Sequence, residues 1–275
     1  MSERVIESGG VGLSAQEQGE GLPVVLLHGL TATRRYVVMG SSALERTGHR
    51  VISYDARGHG RSSPAPAADA YGYELLGADL EAVMDAFDVQ RAVLAGASMG
   101  AHTLLWLALA RPERVGALVV ITPAYDSATQ DDPARLAHWD ALASGLRQGG
   151  VEGFLAVAGE SGEEGKWRQT IDKVIRQRFA LHEHLDAVAD ALQAVPRSRP
   201  FGELSELSAI TVPTFVVASD DEADPGHPRA VGEAYAAAIP GARFVTDEPG
   251  QSPIAWQGSR LSKLIGELAA EAAGA

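Results

Sequence analysis

Ser98 sits in Gly96-Ala97-Ser98-Met99-Gly100, between an apolar run at Ala92-Val93-Leu94-Ala95 and a helix-like run over residues 101–110. A serine at a strand-to-helix turn needs small neighbours so that the strained bend can lift its hydroxyl clear of the backbone. Such a hydroxyl attacks acyl carbons once a base takes its proton and N–H donors hold the oxyanion that develops. The donors can come from a second motif, Val24-Val25-Leu26-Leu27-His28-Gly29-Leu30, an apolar strand ending in His-Gly and a loop. If that loop lies beside the Ser98 turn, the backbone N–H groups of Leu30 and Met99 converge on one spot. His28 closes a strand, so it reads as a residue that hydrogen-bonds nearby backbone and fixes the loop. A third motif, Tyr54-Asp55-Ala56-Arg57-Gly58-His59-Gly60-Arg61-Ser62, reads as a tight turn after a strand, in which Asp55 and Arg57 can pair.

These residues need a scaffold, and the first half of the chain supplies a regular alternation. A hairpin is expected over residues 4–18, turning near Gly9-Gly10. Buried strands follow at 23–27, 50–54, the run before Ser98, and 117–121. Leu75, Leu76, Leu80, Val83, Met84 and Phe87 recur at roughly helical spacing, so 73–87 reads as an amphipathic helix. Continuous apolar strands alternating with helices point to an α/β protein with a mostly parallel sheet covered on both faces. The rhythm breaks after Pro123. Residues 126–207 read as helical and charged, with loop-like pieces such as 160–165. The alternation then resumes with a strand at 211–218, a helix at 228–239, a strand at 243–246 and a helix at 261–270. The expected organisation is a core of residues 1–125 and 208–275 with a helical lid, 126–207, inserted after strand six.

Together the three motifs resemble the α/β-hydrolase superfamily, and the resemblance extends over essentially the whole chain. It implies a mostly parallel eight-stranded sheet with helices on both faces, and an Asp and a His that follow the serine in chain order. The acid should follow strand seven. There the chain reads Ser219-Asp220-Asp221-Glu222-Ala223-Asp224-Pro225-Gly226-His227-Pro228, a loop that holds about two residues more than the family pattern. Asp224, four residues before Pro228, is the favoured acid, with Glu222, Asp221 and Asp220 as alternatives. The histidine should follow strand eight, but Gln251 occupies that position in Pro249-Gly250-Gln251-Ser252-Pro253, and no histidine occurs from 246 to 275. Glutamine can orient a hydroxyl or a water, but it cannot accept the serine proton near neutral pH. His227 is a candidate substitute, three residues past Asp224 on a loop expected to border the site. His102 is expected to pack near the sheet, and His138, His182 and His184 to hang from the lid. His182 and His184, two apart on a helix, would not share a face and so would not form a metal pair. Trp139, Trp167, Phe179 and Trp256 could line an apolar pocket.

Composition narrows the chemistry further. The 275 residues include no cysteine, which excludes disulfides, thiolate nucleophiles and zinc–thiolate sites. A formal net charge of −13, with the charges interspersed, disfavours nucleic acid and anionic membrane surfaces as partners. No signal-like or membrane-length apolar run is read, so a cytoplasmic protein is expected. No metal or cofactor is called for. The partner is a small-molecule substrate or ligand, and a homodimer is compatible with the sequence. The functional expectation is an atypical serine hydrolase acting on an ester, thioester or lactone of a small, partly apolar acid. Gln251 keeps two alternatives open: a catalytically degenerate small-molecule binder, and a lyase or isomerase that uses the oxyanion hole without acylating the serine.

Overall fold

In the computed structural model, which describes residues 2–159, 167–219, 224, 226–248 and 251–274, the apolar runs become neighbouring strands of one sheet. The strands are β1 (Ser2–Ser8), β2 (Val11–Gln18), β3 (Leu22–Leu27), β4 (His49–Tyr54), β5 (Ala92–Ala97), β6 (Val115–Ile121), β7 (Thr214–Ala218) and β8 (Arg243–Thr246). Their order across the sheet is β1-β2-β4-β3-β5-β6-β7-β8. β1 and β2 form the expected hairpin, β2 pairs antiparallel with β4, and every later pairing is parallel.

The period of two along each strand decides what each face buries. Val25, Leu27, Leu94, Leu118, Val120 and Val216 face a layer built on α2 (Tyr73–Ala86), α3 (Met99–Ala110) and α7 (Arg229–Ala238). Val24, Leu26, Val93, Ala95, Val119 and Val217 face the opposite layer, where α1 (Ala43–Arg46) and α8 (Gly258–Gly274) contribute Leu44, Leu261, Ile265 and Leu268. This two-sided burial explains why the strands are apolar throughout rather than alternating.

Between β6 and β7 the chain forms α4 (Pro133–Gly159), α5 (Arg168–Phe179) and α6 (Leu185–Ala194). α4 bends at Gly150, whose φ of 59° and ψ of −145° are not helical. These helices build a third apolar cluster in which Leu142, Leu146, Val188 and Leu192 pack with Leu30 and Met99. The helical insertion therefore sits against the Ser98 end of the sheet. Residues 160–165, expected to be loop-like, lie outside the described residues.

The strand order fixes where a site can form. The chain leaves β3 toward β4 on one side and returns at β5 on the other. Connections that diverge in this way leave a crevice at the carboxyl ends of the two central strands. The His28-Gly29-Leu30 loop follows β3 and Ser98 follows β5, so both stand at that crevice. Among the described residues no helix is long and apolar enough to cross a membrane.

Candidate active site

Ser98 has φ 50° and ψ −112°, a conformation that non-glycine residues rarely hold and that persists only when the surroundings enforce it. Its N–H donates to Ile121 O at 2.9 Å, tying the turn to β6, and its carbonyl accepts the His102 N–H at 3.0 Å. The two glycines of the motif are there for space. A Cβ on Gly96 would lie 2.5 Å from the Gly100 carbonyl, and one on Gly100 would lie 2.3 Å from Leu27 O. The bend therefore packs helix on strand at backbone distance.

The loop after β3 abuts this turn: a Cβ on Gly29 would stand 3.4 Å from Ser98 Cβ. The backbone N–H groups of Leu30 and Met99 have no hydrogen-bond partner among the described residues. Met99 opens α3, so the helix dipole adds positive potential at its amide. The loop is braced from behind. His28 Nε2 accepts the Ala56 N–H at 2.9 Å, which joins the ends of β3 and β4. His59 lies across the chain turn, with Nε2 2.6 Å from Leu30 O and Nδ1 2.9 Å from Arg57 O. His182 Nδ1 accepts the Gly60 N–H at 2.8 Å. The three rings follow one another, the first pair tilted and the second edge to face, with centroids 5.2 and 5.6 Å apart. Burial is the leading cause that lowers the pKa of all three, taking His182 to about 3. All three brace the loop from within the fold.

A candidate base stands on the other side. His227 Nε2 lies 2.9 Å from Ser98 Oγ, and His227 Nδ1 lies 2.8 Å from Asp224 Oδ1. A turn closed by the His227 N–H to Asp224 O at 3.0 Å puts both side chains on one side of the loop. A carboxylate only accepts, so Nδ1 carries the proton and Nε2 offers its lone pair to the serine O–H. Burial opposes charging of this imidazole and Arg178 adds to that opposition. The charge and hydrogen bond of Asp224 outweigh both, and the pKa is raised above the usual 6.5. The arrangement can pass a proton from Ser98 to His227 while the carboxylate holds the ring and stabilises its charge.

Gln251 does not join this group. Its side chain is exposed and has no hydrogen-bond partner among the described residues, and its N–H donates to Glu248 O at 3.1 Å. Ser98 Oγ already has its acceptor in His227. The alternative acids Asp220, Asp221 and Glu222 lie outside the described residues. Two further expectations are corrected. Arg57 pairs with Asp79 of α2, with both contacts at 2.7 Å, rather than with Asp55, whose carboxylate instead accepts the Arg34 N–H at 2.9 Å. His182 and His184 lie in the connection between α5 and α6, not on a helix. Among the described residues no group of three or more His, Asp or Glu could hold a metal ion.

A cavity of about 60 Å³ opens at Ser98, lined by Leu30, Met99, Tyr73, Gln130, Arg135 and Trp139 among others. Of the four aromatics expected there, Trp139 lines it. Phe179 packs on Phe154 in the insertion, and Trp167 meets Trp256 edge to face at 5.6 Å. His102, expected to pack on the sheet, also reaches this cavity. Tyr73, Gln130 and Arg135 were not singled out in the sequence. The trace they leave is Arg135 and Trp139, one helical turn apart at the start of α4.

Comparison with known proteins identifies the family of this fold. The sequence model of the alpha/beta hydrolase fold family matches residues 23–258. A mouse sn-1-specific diacylglycerol lipase, ABHD11, is 31% identical over 188 residues, which are 60% of this chain and 58% of that protein. The chain thus spans little more than half the length of that relative. The Variovorax paradoxus protein that bears the name carbamate hydrolase RutD is 34% identical over 210 residues, 74% of this chain and 75% of the other. The solved structure of Est816, described as an N-acyl homoserine lactone degrading enzyme, superposes with a TM-score of 0.73 at 27% identity, covering 96% of this chain and 98% of that one.

Proposed function

The chain belongs to the α/β-hydrolase fold family, and on that premise we propose that it is a serine hydrolase cleaving an ester or lactone of a short acid. The observation that carries this reading is the unbroken hydrogen-bonded line Ser98–His227–Asp224, at 2.9 and 2.8 Å. Ser98 Oγ attacks the acyl carbon as its proton moves to His227 Nε2. The carbonyl oxygen, now negative, takes the free N–H groups of Leu30 and Met99. His227 returns the proton to the leaving alkoxide and a covalent acyl-Ser98 remains. Water then attacks that ester, with His227 again as base, and free Ser98 is restored. Asp224 sets the tautomer of His227 and balances the imidazolium.

The degenerate-binder and lyase readings rested on Gln251 in place of a base. The place of His227 against Ser98 favours hydrolysis over both. The hydrolases of esters, carbamates and lactones among the similar proteins favour the same class of chemistry. The cavity at Ser98, where Leu30, Met99 and Trp139 stand beside polar groups, suits a small, partly apolar acyl group. Helices α4–α6 act in this proposal as the lid that keeps water away from the acyl-enzyme until deacylation.

The test is a fluorophosphonate probe together with p-nitrophenyl acetate and butyrate. Wild type should label and turn over, and both signals should disappear in Ser98→Ala and collapse in His227→Ala. A folded wild type that neither labels nor hydrolyses any of these esters refutes the reading.

A further inference from the structure

The cavity at Ser98 is also lined by polar groups that the described residues leave unmatched. Gln130 is 1% exposed. Its amide nitrogen donates to Pro196 O at 2.6 Å and to Ser198 O at 2.9 Å. Two carbonyl partners fix which end of the amide is nitrogen, because the flipped amide would set oxygen against oxygen. Gln130 Oε1 is left buried without a partner, in a cavity wall. Buried acceptors without partners cost free energy and call for an explanation.

Tyr73 offers the complementary donor. His102 Nε2 accepts two backbone N–H groups, from Ala124 and Tyr125, both at 3.1 Å. That nitrogen is therefore unprotonated, so the ring proton is on Nδ1, which lies 3.1 Å from Tyr73 Oη. A neutral imidazole has one N–H. It donates to Tyr73 Oη, and the Tyr73 hydroxyl proton remains free to be given to a ligand. Tyr73 is 4% exposed and lines the same cavity.

Arg135 supplies a charge. Its Nη1 donates to Gln130 O at 3.1 Å and Pro196 O at 3.2 Å, and its remaining N–H groups have no hydrogen bond or ion pair among the described residues. The nearest carboxylates are otherwise engaged: Asp131 with Arg199 at 2.5 Å, and Asp132 with the Ala134 N–H at 2.8 Å. A half-buried guanidinium whose Nε/Nη2 fork has no partner among the described residues can take a carboxylate.

We propose that Arg135 and Tyr73 bind a carboxylate at the far end of the acyl group, and that Gln130 Oε1 accepts from a hydroxyl on the same short chain. The preferred substrates are then half esters, or lactones, of short hydroxy-dicarboxylic acids. This deepens the hydrolase reading and rests on it for the reaction, but not for the binding.

Two measurements separate the two claims. In the first, kcat/KM is compared for the p-nitrophenyl half ester of succinate and for p-nitrophenyl butyrate, a neutral ester of similar length. Wild type should prefer the charged ester by about 10-fold or more, as expected for a hydrogen-bonded ion pair. Arg135→Met should bring the ratio near one, and Arg135→Lys, which keeps charge but loses the fork, should retain part of it. In the second, binding of free succinate and malate is followed by calorimetry on Ser98→Ala protein, where no turnover is needed. Both should bind, malate more tightly, and Arg135→Met should abolish binding. Absent turnover with intact, Arg135-dependent binding would sink the hydrolase reading and leave the subsite standing. Equal kcat/KM for both esters together with no binding of either acid would overturn the subsite.

Discussion

Replacing Asp224 by Asn tests the proposed base directly, because the two side chains have the same shape and differ in one charge and two added N–H donors. With the charges of the pair about 4 Å apart, at an effective dielectric of about 20, the attraction is about 4 kcal/mol, or about a thousandfold in the balance between imidazolium and imidazole. The side chains of His227 and Asp224 are 25% and 20% exposed, so solvent screening makes this figure a ceiling. Asn can also donate toward Nδ1, which favours the tautomer with its proton on Nε2, pointing the wrong way at Ser98. Charge loss and tautomer loss together should lower kcat/KM by about 10³–10⁴-fold. The pH profile carries a second signature. The base must be neutral to accept the serine proton, so activity rises with pH through the pKa of His227, which in wild type is raised above 6.5. In Asp224→Asn the two opposing influences, burial and Arg178, remain while the raising one is gone, so the ascending limb should move below 6.5. The assay is p-nitrophenyl acetate hydrolysis from about pH 5 to 9, with melting temperature as the control for folding. A variant that keeps kcat/KM within about threefold of wild type, with its ascending limb unmoved, would refute the role given to the pair.

Three other outcomes follow from the same geometry. Gln251→His should give less than about a threefold change in ester turnover, because Gln251 is exposed and Ser98 already has an acceptor; a gain of orders of magnitude would show that His227 is not the working base. Asp79→Ala leaves the Arg57 guanidinium, 2% exposed, without its counter-ion, and should cost about 3–5 kcal/mol in urea unfolding, with Asp79→Asn recovering part of it. Acid should destabilise the fold: His102 and His182 are held to pKa values of about 3, chiefly by burial, while unfolded histidines titrate near 6.5. Above 6.5 they cost nothing. As pH falls from 6.5 toward 3 the unfolded chain binds the extra protons, and each should remove about 1.4 kcal/mol per pH unit. Unfolding midpoints in urea at descending pH would measure this, and a midpoint unchanged between about pH 6.5 and 5 would contradict it.

What could be read in the sequence, and what could not, divides along physical lines. Strands buried on both faces must be apolar at every position, so β3, β5, β6 and β7 announce themselves as runs. The Ser98 turn needs small residues at fixed offsets, and its glycines reveal it. The His28-Gly29-Leu30 loop is visible for the same reason. The cavity wall is a different matter. Tyr73, His102, Gln130 and Arg135 come from the starts of α2, α3 and α4 and from the connection after β6, and no period or spacing in the chain links them. Arg57 was misassigned because its partner Asp79 lies on a helix 22 residues away, while the Asp55 beside it in sequence is already held by Arg34. Gly29 and Gly100 could be read from type alone; the ion pair needed the packing of α2 on the sheet.

The histidine is the instructive case, because the substitution at 251 and the extra length after β7 belong together. β7 is the second strand from β5, so its loop must span about 10 Å of sheet to reach Ser98. From Ala218 to His227 are nine residues, able to extend to about 30 Å, which leaves ample slack for the turn at 224–227. In the proposed reading acid and base arrive on one segment, with His227 Nε2 2.9 Å from Ser98 Oγ. The loop after β8 then carries no chemical demand in that reading, and the order serine, aspartate, histidine along the chain is kept. Deleting Asp221 and Glu222 from the β7 loop should therefore separate His227 from Ser98 and abolish ester turnover while leaving the melting temperature within a few degrees of wild type. Activity that survives the deletion would mean that the slack is not what places the base.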